Sequence, residues 1–124
     1  MLHMDVKKTR EYYEQLSQDD LCQCDYCQNY IQQIKSSYPL IADYLLNMGV
    51  DIGKPFETGP LEPDEDGYIE YIFAQYIVCG ECDGFDKTAL NGVNADVAEL
   101  HPSTDIKEAH FVIEIYPVRL KWIM

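Results

Sequence analysis

The chain reads as an α+β domain, with two or three N-terminal helices packed on a small antiparallel sheet formed by the C-terminal half. Three observations predict this. Apolar residues recur at helical spacing as far as Met48. Glycine and proline then punctuate residues 50–67. Beyond that point the apolar residues come in strand-like runs. Helices first and strands later is the α+β order.

Residues 5–17 mix Lys7, Lys8, Arg10, Glu11 and Glu14 with Val6, Tyr12, Tyr13 and Leu16, a short amphipathic helix. Asp19–Cys24 reads as a turn. From Asp25, apolar residues fall at Cys27, Tyr30, Ile31 and Ile34, one face of a helix that runs to Ser37. Tyr38-Pro39 breaks it, because the residue before proline avoids the α region. Pro39 then suits the first turn of a third helix, with Ile41, Tyr44, Leu45 and Met48 as its buried stripe. Gly49 is placed as its left-handed cap. Tyr68–Cys79 is apolar on both faces, as a central strand is. Gly92–Leu100 predicts a shorter strand with Val93, Ala95 and Val97 alternating. Ala109–Met124 is the clearest β segment. Its apolar phase passes from Phe111, Ile113 and Ile115 to Val118, Leu120 and Trp122, so Pro117 marks a bulge, a bend or a break.

The 124 residues, 47% of them hydrophobic, suit one domain over 1–124. It divides into a helical part at about 5–49, an irregular connection at 50–67 and a β part at 68–124. Nine Lys and Arg against 22 Asp and Glu leave a net charge of −13. That balance speaks against nucleic acid and anionic membrane as partners, since both call for Lys and Arg. The longest mainly apolar run, Tyr68–Cys79, contains Glu70 and Gln75 and falls short of a membrane span. The N-terminus has no apolar core of a signal peptide, so a cytoplasmic location with reduced thiols is expected.

Five cysteines carry the clearest chemical pattern. Cys24-x-x-Cys27 and Cys79-x-x-Cys82 form two hooks, with Cys22 as a substitute ligand. Zinc takes four thiolates in a tetrahedron, and a two-residue gap lets one segment offer two of them. A Zn²⁺ ion held this way would staple the helical half to the strand half. Against it stands plain packing. Cys24, Cys27, Ile31 and Ile34 follow helical spacing, and free cysteine often fills a core as a small apolar group. A thioredoxin-like reading of Cys79 and Cys82 is opposed by Glu81, Asp83 and Asp86, which would repel a thiolate. No Ser/His/Asp set, paired histidines or phosphate loop is present, so no catalytic residue is assigned.

From Glu57 to Asp86 there is no basic residue, and nine carboxylates fall in the stretch. Such a region steers a basic protein toward it. Glu62, Asp64, Glu65, Asp66 and Tyr68 are the candidate partner-binding residues. The same segment half-matches a calcium loop but carries Phe73 where the bidentate Glu is needed. Of ten tyrosines, Tyr30, Tyr44 and Tyr71 or Tyr76 are expected in the core, and Tyr12, Tyr13, Tyr26 and Tyr68 at the surface.

Cys24-Asp-Tyr-Cys27-Gln-Asn-Tyr30, Gly49-Val-Asp-Ile-Gly-Lys-Pro-Phe56 and Pro63-Asp-Glu-Asp-Gly-Tyr-Ile-Glu70-Tyr resemble motifs shared by a group of small, acidic, uncharacterised bacterial proteins. The resemblance runs over most of the chain and implies a bacterial cytoplasmic protein. It brings no activity, ligand or catalytic residue. The expectation is therefore a non-enzymatic binding or regulatory protein for a basic partner, with thiols that are structural and Zn²⁺ as the candidate ion. Its rivals are a thiol- or metal-dependent enzyme using the C-x-x-C pairs, and a toxin-neutralising protein of the immunity type.

Overall fold

The computed structural model describes residues 2–82 and 84–124, with Leu2 and His3 described by their backbone alone. Met1 and Asp83 lie outside it, and with Asp83 one carboxylate of the acidic stretch. The order is β1 (Leu2–Met4), α1 (Val6–Gln15), a 3-10 turn (Gln18–Asp20), α2 (Asp25–Ser37), α3 (Pro39–Leu46), β2 (Glu57–Pro60), β3 (Tyr68–Cys82), β4 (Thr88–Leu90), β5 (Val93–Val97), β6 (His110–Tyr116) and β7 (Val118–Lys121). The α+β class and the N-terminal placement of the helices are as the sequence predicts.

β3 is the spine of the sheet, and every pairing is antiparallel. One edge of β3 takes β2 and, at its far end, β1. Its other edge takes β7 and then β6. β5 and β4 extend the sheet beyond β6. The proline break falls where the apolar phase shifts, between β6 and β7. Yet the register with β3 does not slip there. Ile69 pairs with Leu120, Tyr71 with Val118, Ala74 with Ile115 and Tyr76 with Ile113. β3 changes phase too, between Tyr71 and Ala74, so the two strands exchange faces together and every one of these pairs stays buried.

Three strands arise where the sequence predicts none: β1, β2 and β4. β2 carries Gly59 and Pro60, which read as loop signals. It is an edge strand, where proline is tolerated, and a Cβ at Gly59 would come within 2.4 Å of the Phe73 ring. Backbone contact with an aromatic ring, not turn formation, selects that glycine.

α2 and α3 cover one face of the sheet, while α1 lies along the edge of β3, its Tyr12 also packing against Ile77 and Val112 on the other face. Tyr30, Ile34, Ile41 and Leu45 are fully buried against Tyr71, Tyr76, Ile113 and Ile115. Tyr76 donates to Ile52 O at 2.7 Å and meets the Tyr30 hydroxyl at 2.5 Å, so both buried phenols are satisfied. Tyr13 corrects its expected surface position. It is 3% exposed, and its hydroxyl donates to Ile77 O at 2.8 Å. The buried face of α1 is Thr9 and Tyr13, and polar Thr9 hides it from a hydrophobicity pattern. Thr9 Oγ1 donates to Asp5 O and accepts from Cys79 N, which joins α1 to β3.

Asn29, fully buried on α2, donates to Lys121 O at 2.9 Å and accepts from Ile123 N at 2.9 Å, which holds the C-terminal segment. Lys54 Nζ donates to Tyr13 O and Leu16 O at 2.7 and 2.8 Å, closing the C-terminal end of α1. A cation there also meets the negative end of the helix dipole. Lys54→Met is expected to cost about 1–2 kcal/mol, read as a lower midpoint in urea with an unchanged m-value.

Candidate functional site

The N-terminus of α2 gathers three thiols. Cys24 is the N-cap, with φ −67° and ψ 157°, and its Sγ accepts from Cys27 N at 3.4 Å. A thiol thus stands where serine or aspartate usually caps. Cys27 follows one turn later on the inner side of the helix. Cys22 lies in the extended segment before the cap. Gln28 Nε2 donates to Cys22 O at 2.9 Å, and Gln23 Nε2 donates to Gln18 O and Leu21 O. Buried Leu21 anchors the same segment. These contacts bring Cys22 Sγ to 3.2 Å from Cys24 Sγ.

The Sγ atoms of Cys22, Cys24 and Cys27 all lie within 4.8 Å of one another. Tetrahedral thiolates at about 2.3 Å from zinc sit roughly 3.8 Å apart. The cluster therefore needs only rotamer-scale movement to close on one ion. Cys22 and Cys24 are exposed and Cys27 is 8% exposed, so the cluster opens outward on one side.

The three sulfurs are not equivalent. The Cys24 N–H, then the neighbouring thiols of Cys24 and Cys27, pull the Cys22 thiol below its ordinary pKa, while Glu57 opposes them. Burial pushes the Cys27 thiol up to about 12, against a lowering contact with the Thr58 hydroxyl at 3.5 Å. The positive end of the α2 dipole also favours a negatively charged or metal-bound ligand set beside it. The arrangement can hold a soft cation with three sulfurs and leaves the fourth position to an outside ligand.

The predicted four-thiol set of Cys24, Cys27, Cys79 and Cys82 is not assembled. Cys27 contacts Thr58, which pairs with Ala74. Cys79 lies five residues further along β3, about 16 Å away at strand rise. It also points to the opposite face, because side chains alternate along a strand. Its thiol is raised by burial first and lies near Thr9 of α1. Cys82 pairs with Leu2 at the end of β3. Cys22, taken as a substitute ligand, is a full member of the cluster. Its signal was the one-residue gap before Cys24, which an extended residue can fold back onto a helix cap. An ion here would not staple the two halves of the fold, since all three sulfurs come from residues 22–27.

Cys79 and His110 are cross-strand partners. Both ring nitrogens of His110 are taken, Nε2 by Thr104 Oγ1 at 2.6 Å and Nδ1 by Glu108 O at 2.8 Å. The imidazole is not free to serve the thiol as a base.

The acidic segment forms the β2–β3 turn, and much of its charge serves the fold. Asp64 Oδ1 accepts from Asp66 N and Tyr68 N at 3.0 and 2.9 Å, and Oδ2 meets Arg119 at 3.1 Å. The Tyr68 N–H above all, with Arg119, holds the Asp64 carboxyl below its usual range. The Arg119 guanidinium lies 4.6 Å over the Tyr68 ring. Tyr26 donates to Glu62 at 3.0 Å. A strand follows this loop where a calcium hand needs a helix. Glu65 and Asp66 remain as exposed carboxylates at the tip. No helix among the described residues is long and apolar enough to cross a membrane.

No family model, curated protein or solved structure matches the chain.

Proposed function

We propose that this is a non-enzymatic metal-binding regulatory or carrier protein, with Cys22, Cys24 and Cys27 as the ligands of a soft divalent cation, Zn²⁺ foremost. The observation that carries this is the convergence of three sulfurs within 4.8 Å at one helix N-terminus. Thiolate sets select soft and borderline ions over the hard ones. The charge of −13 draws cations to the surface. An open fourth position suits an ion that is sensed or handed on, in contrast to a closed structural site. The acidic turn then offers Glu65 and Asp66 to a basic partner in the cytoplasm, the place where such thiols stay reduced.

Cobalt(II) substitution tests the ligand set. Anaerobic protein titrated with Co²⁺ should develop sulfur-to-cobalt charge-transfer absorption that saturates at one equivalent, with an intensity fitting three thiolates. Cys22→Ser should lower that intensity by about one third, in proportion to the sulfur count. Absence of the band, together with one thiol that reacts far faster than the rest at neutral pH, would favour the thiol-enzyme reading instead.

A further inference from the structure

The sheet face turned away from the helical core carries a row that the thiol site does not use. Glu57 of β2 pairs with Gln75 of β3, Gln75 with Glu114 of β6, and Glu114 with Asp96 of β5. In-register partners share a face, and neighbouring strands lie about 4.8 Å apart. Four adjacent strands thus set four oxygen-bearing side chains in line. The same four residues line one open cleft of about 810 Å³, whose other wall is the segment Glu99–Pro102. No Lys or Arg is among its lining residues. Like charges at neighbouring strand positions repel one another.

Gln75 supplies an independent sign of a missing partner. It is 2% exposed, and its Nε2 donates to Leu100 O at 2.9 Å and Glu114 Oε1 at 3.2 Å. Two acceptors at that end fix which terminus is the nitrogen. Its Oε1 is buried and has no hydrogen-bond partner. A buried acceptor without a donor is rare and costly. The cleft therefore offers its carboxylates no Lys or Arg and offers Gln75 Oε1 no donor.

We propose that this cleft binds a linear aliphatic polyamine. Its ammonium groups would sit on Glu57, Glu114 and Asp96, with one N–H reaching Gln75 Oε1. Amines separated by a few methylenes repeat on the scale of the strand spacing, so one chain can cross the row. Phe73 and Leu100 flank the row with apolar surface for the methylenes. A single metal ion fits this row less well, since its carboxylates form no group of three ligand atoms within 4.8 Å among the described residues.

Isothermal titration of the full chain with spermidine at physiological salt tests the proposal. Saturable binding at one equivalent is expected, with Mg²⁺ at matched ionic strength failing to reproduce it. Glu114→Gln keeps an acceptor for the Gln75 amide and should weaken binding tenfold or more. Asp96→Asn, at a half-exposed position, provides a second variant should the first unfold. The Cys22→Ser protein should bind spermidine as the wild type does, which separates this cleft from the thiol site. Equal response to Mg²⁺, full binding by both carboxylate variants, or tighter binding of an arginine-rich peptide would overturn the proposal.

Discussion

Gly49→Ala will destabilise the fold by about 3 kcal/mol, the combined effect of left-handed strain and forced repacking. Two costs coincide at this position. Gly49 has φ +87°, which an L side chain rarely adopts. A Cβ there would also lie 2.5 Å from Val6 O and 3.0 Å from Arg10 N. Those are backbone atoms of α1, so no side chain can swing aside. The glycine closes α3 as a double hydrogen-bonded cap, Gly49 N to Leu46 O and Val50 N to Leu45 O, with Val50 and Leu45 both buried. One residue therefore ends a helix and lets its end rest on another. Gly67→Ala is the control. Gly67 has φ +81°, and a Cβ there would meet nothing within 4 Å, so strain alone acts, about 1 kcal/mol. Urea unfolding should place the Gly49 variant well below the Gly67 variant. Equal midpoints would show that the close approach of α1 and α3 contributes nothing.

Zinc loading will fall steeply as pH falls. Cys27, pushed up to about 12 by burial, carries its proton at neutral pH. An ion must displace that proton, so affinity should drop at least about tenfold for each pH unit lowered. In the metal-free chain the sign runs the other way. Burial favours the neutral thiol, so the stability it brings is whole below the ordinary value of 9.0 and is lost as pH climbs toward about 12. Cys27→Ser should cost the metal-free protein about 1–3 kcal/mol, because a hydroxyl replaces a buried apolar sulfur. The same change should weaken zinc by at least about a hundredfold, because an oxygen donor replaces a soft thiolate. Thermal melts with and without zinc across pH 6 to 8, a window of about two units around neutrality, separate the two effects.

Much of the fold was legible because its signals are local. Pro39 at the start of α3 and Gly49 past its end are read from single residues, and both stand where predicted. The phase shift at Pro117 was visible on one strand. Its meaning was not, because the compensating shift at Ile72 and Phe73 lies on a partner more than forty residues away. β1 and β2 escaped notice because short edge strands draw on a partner's backbone more than on their own side-chain pattern. The thiol site was legible in part. Cys24 and Cys27 follow from helical spacing. The second hook did not join them, since spacing alone does not say that β3 runs straight past Thr58 with Cys79 on its other face. The four-strand carboxylate row was hidden for a related reason. Glu57, Glu114 and Asp96 become neighbours only through register, which no local pattern specifies.

The proposed metal centre uses three cysteines and not five. Anaerobic competition for Zn²⁺ against a chromophoric chelator at pH 7 distinguishes the two sets, on the wild type and on each single cysteine-to-serine variant. One equivalent should bind, with a loss of about a hundredfold or more for Cys22, Cys24 or Cys27 and wild-type affinity for Cys79→Ser and Cys82→Ser. Zinc retained by the Cys22 and Cys24 variants, or lost with Cys79, would refute the three-thiol centre.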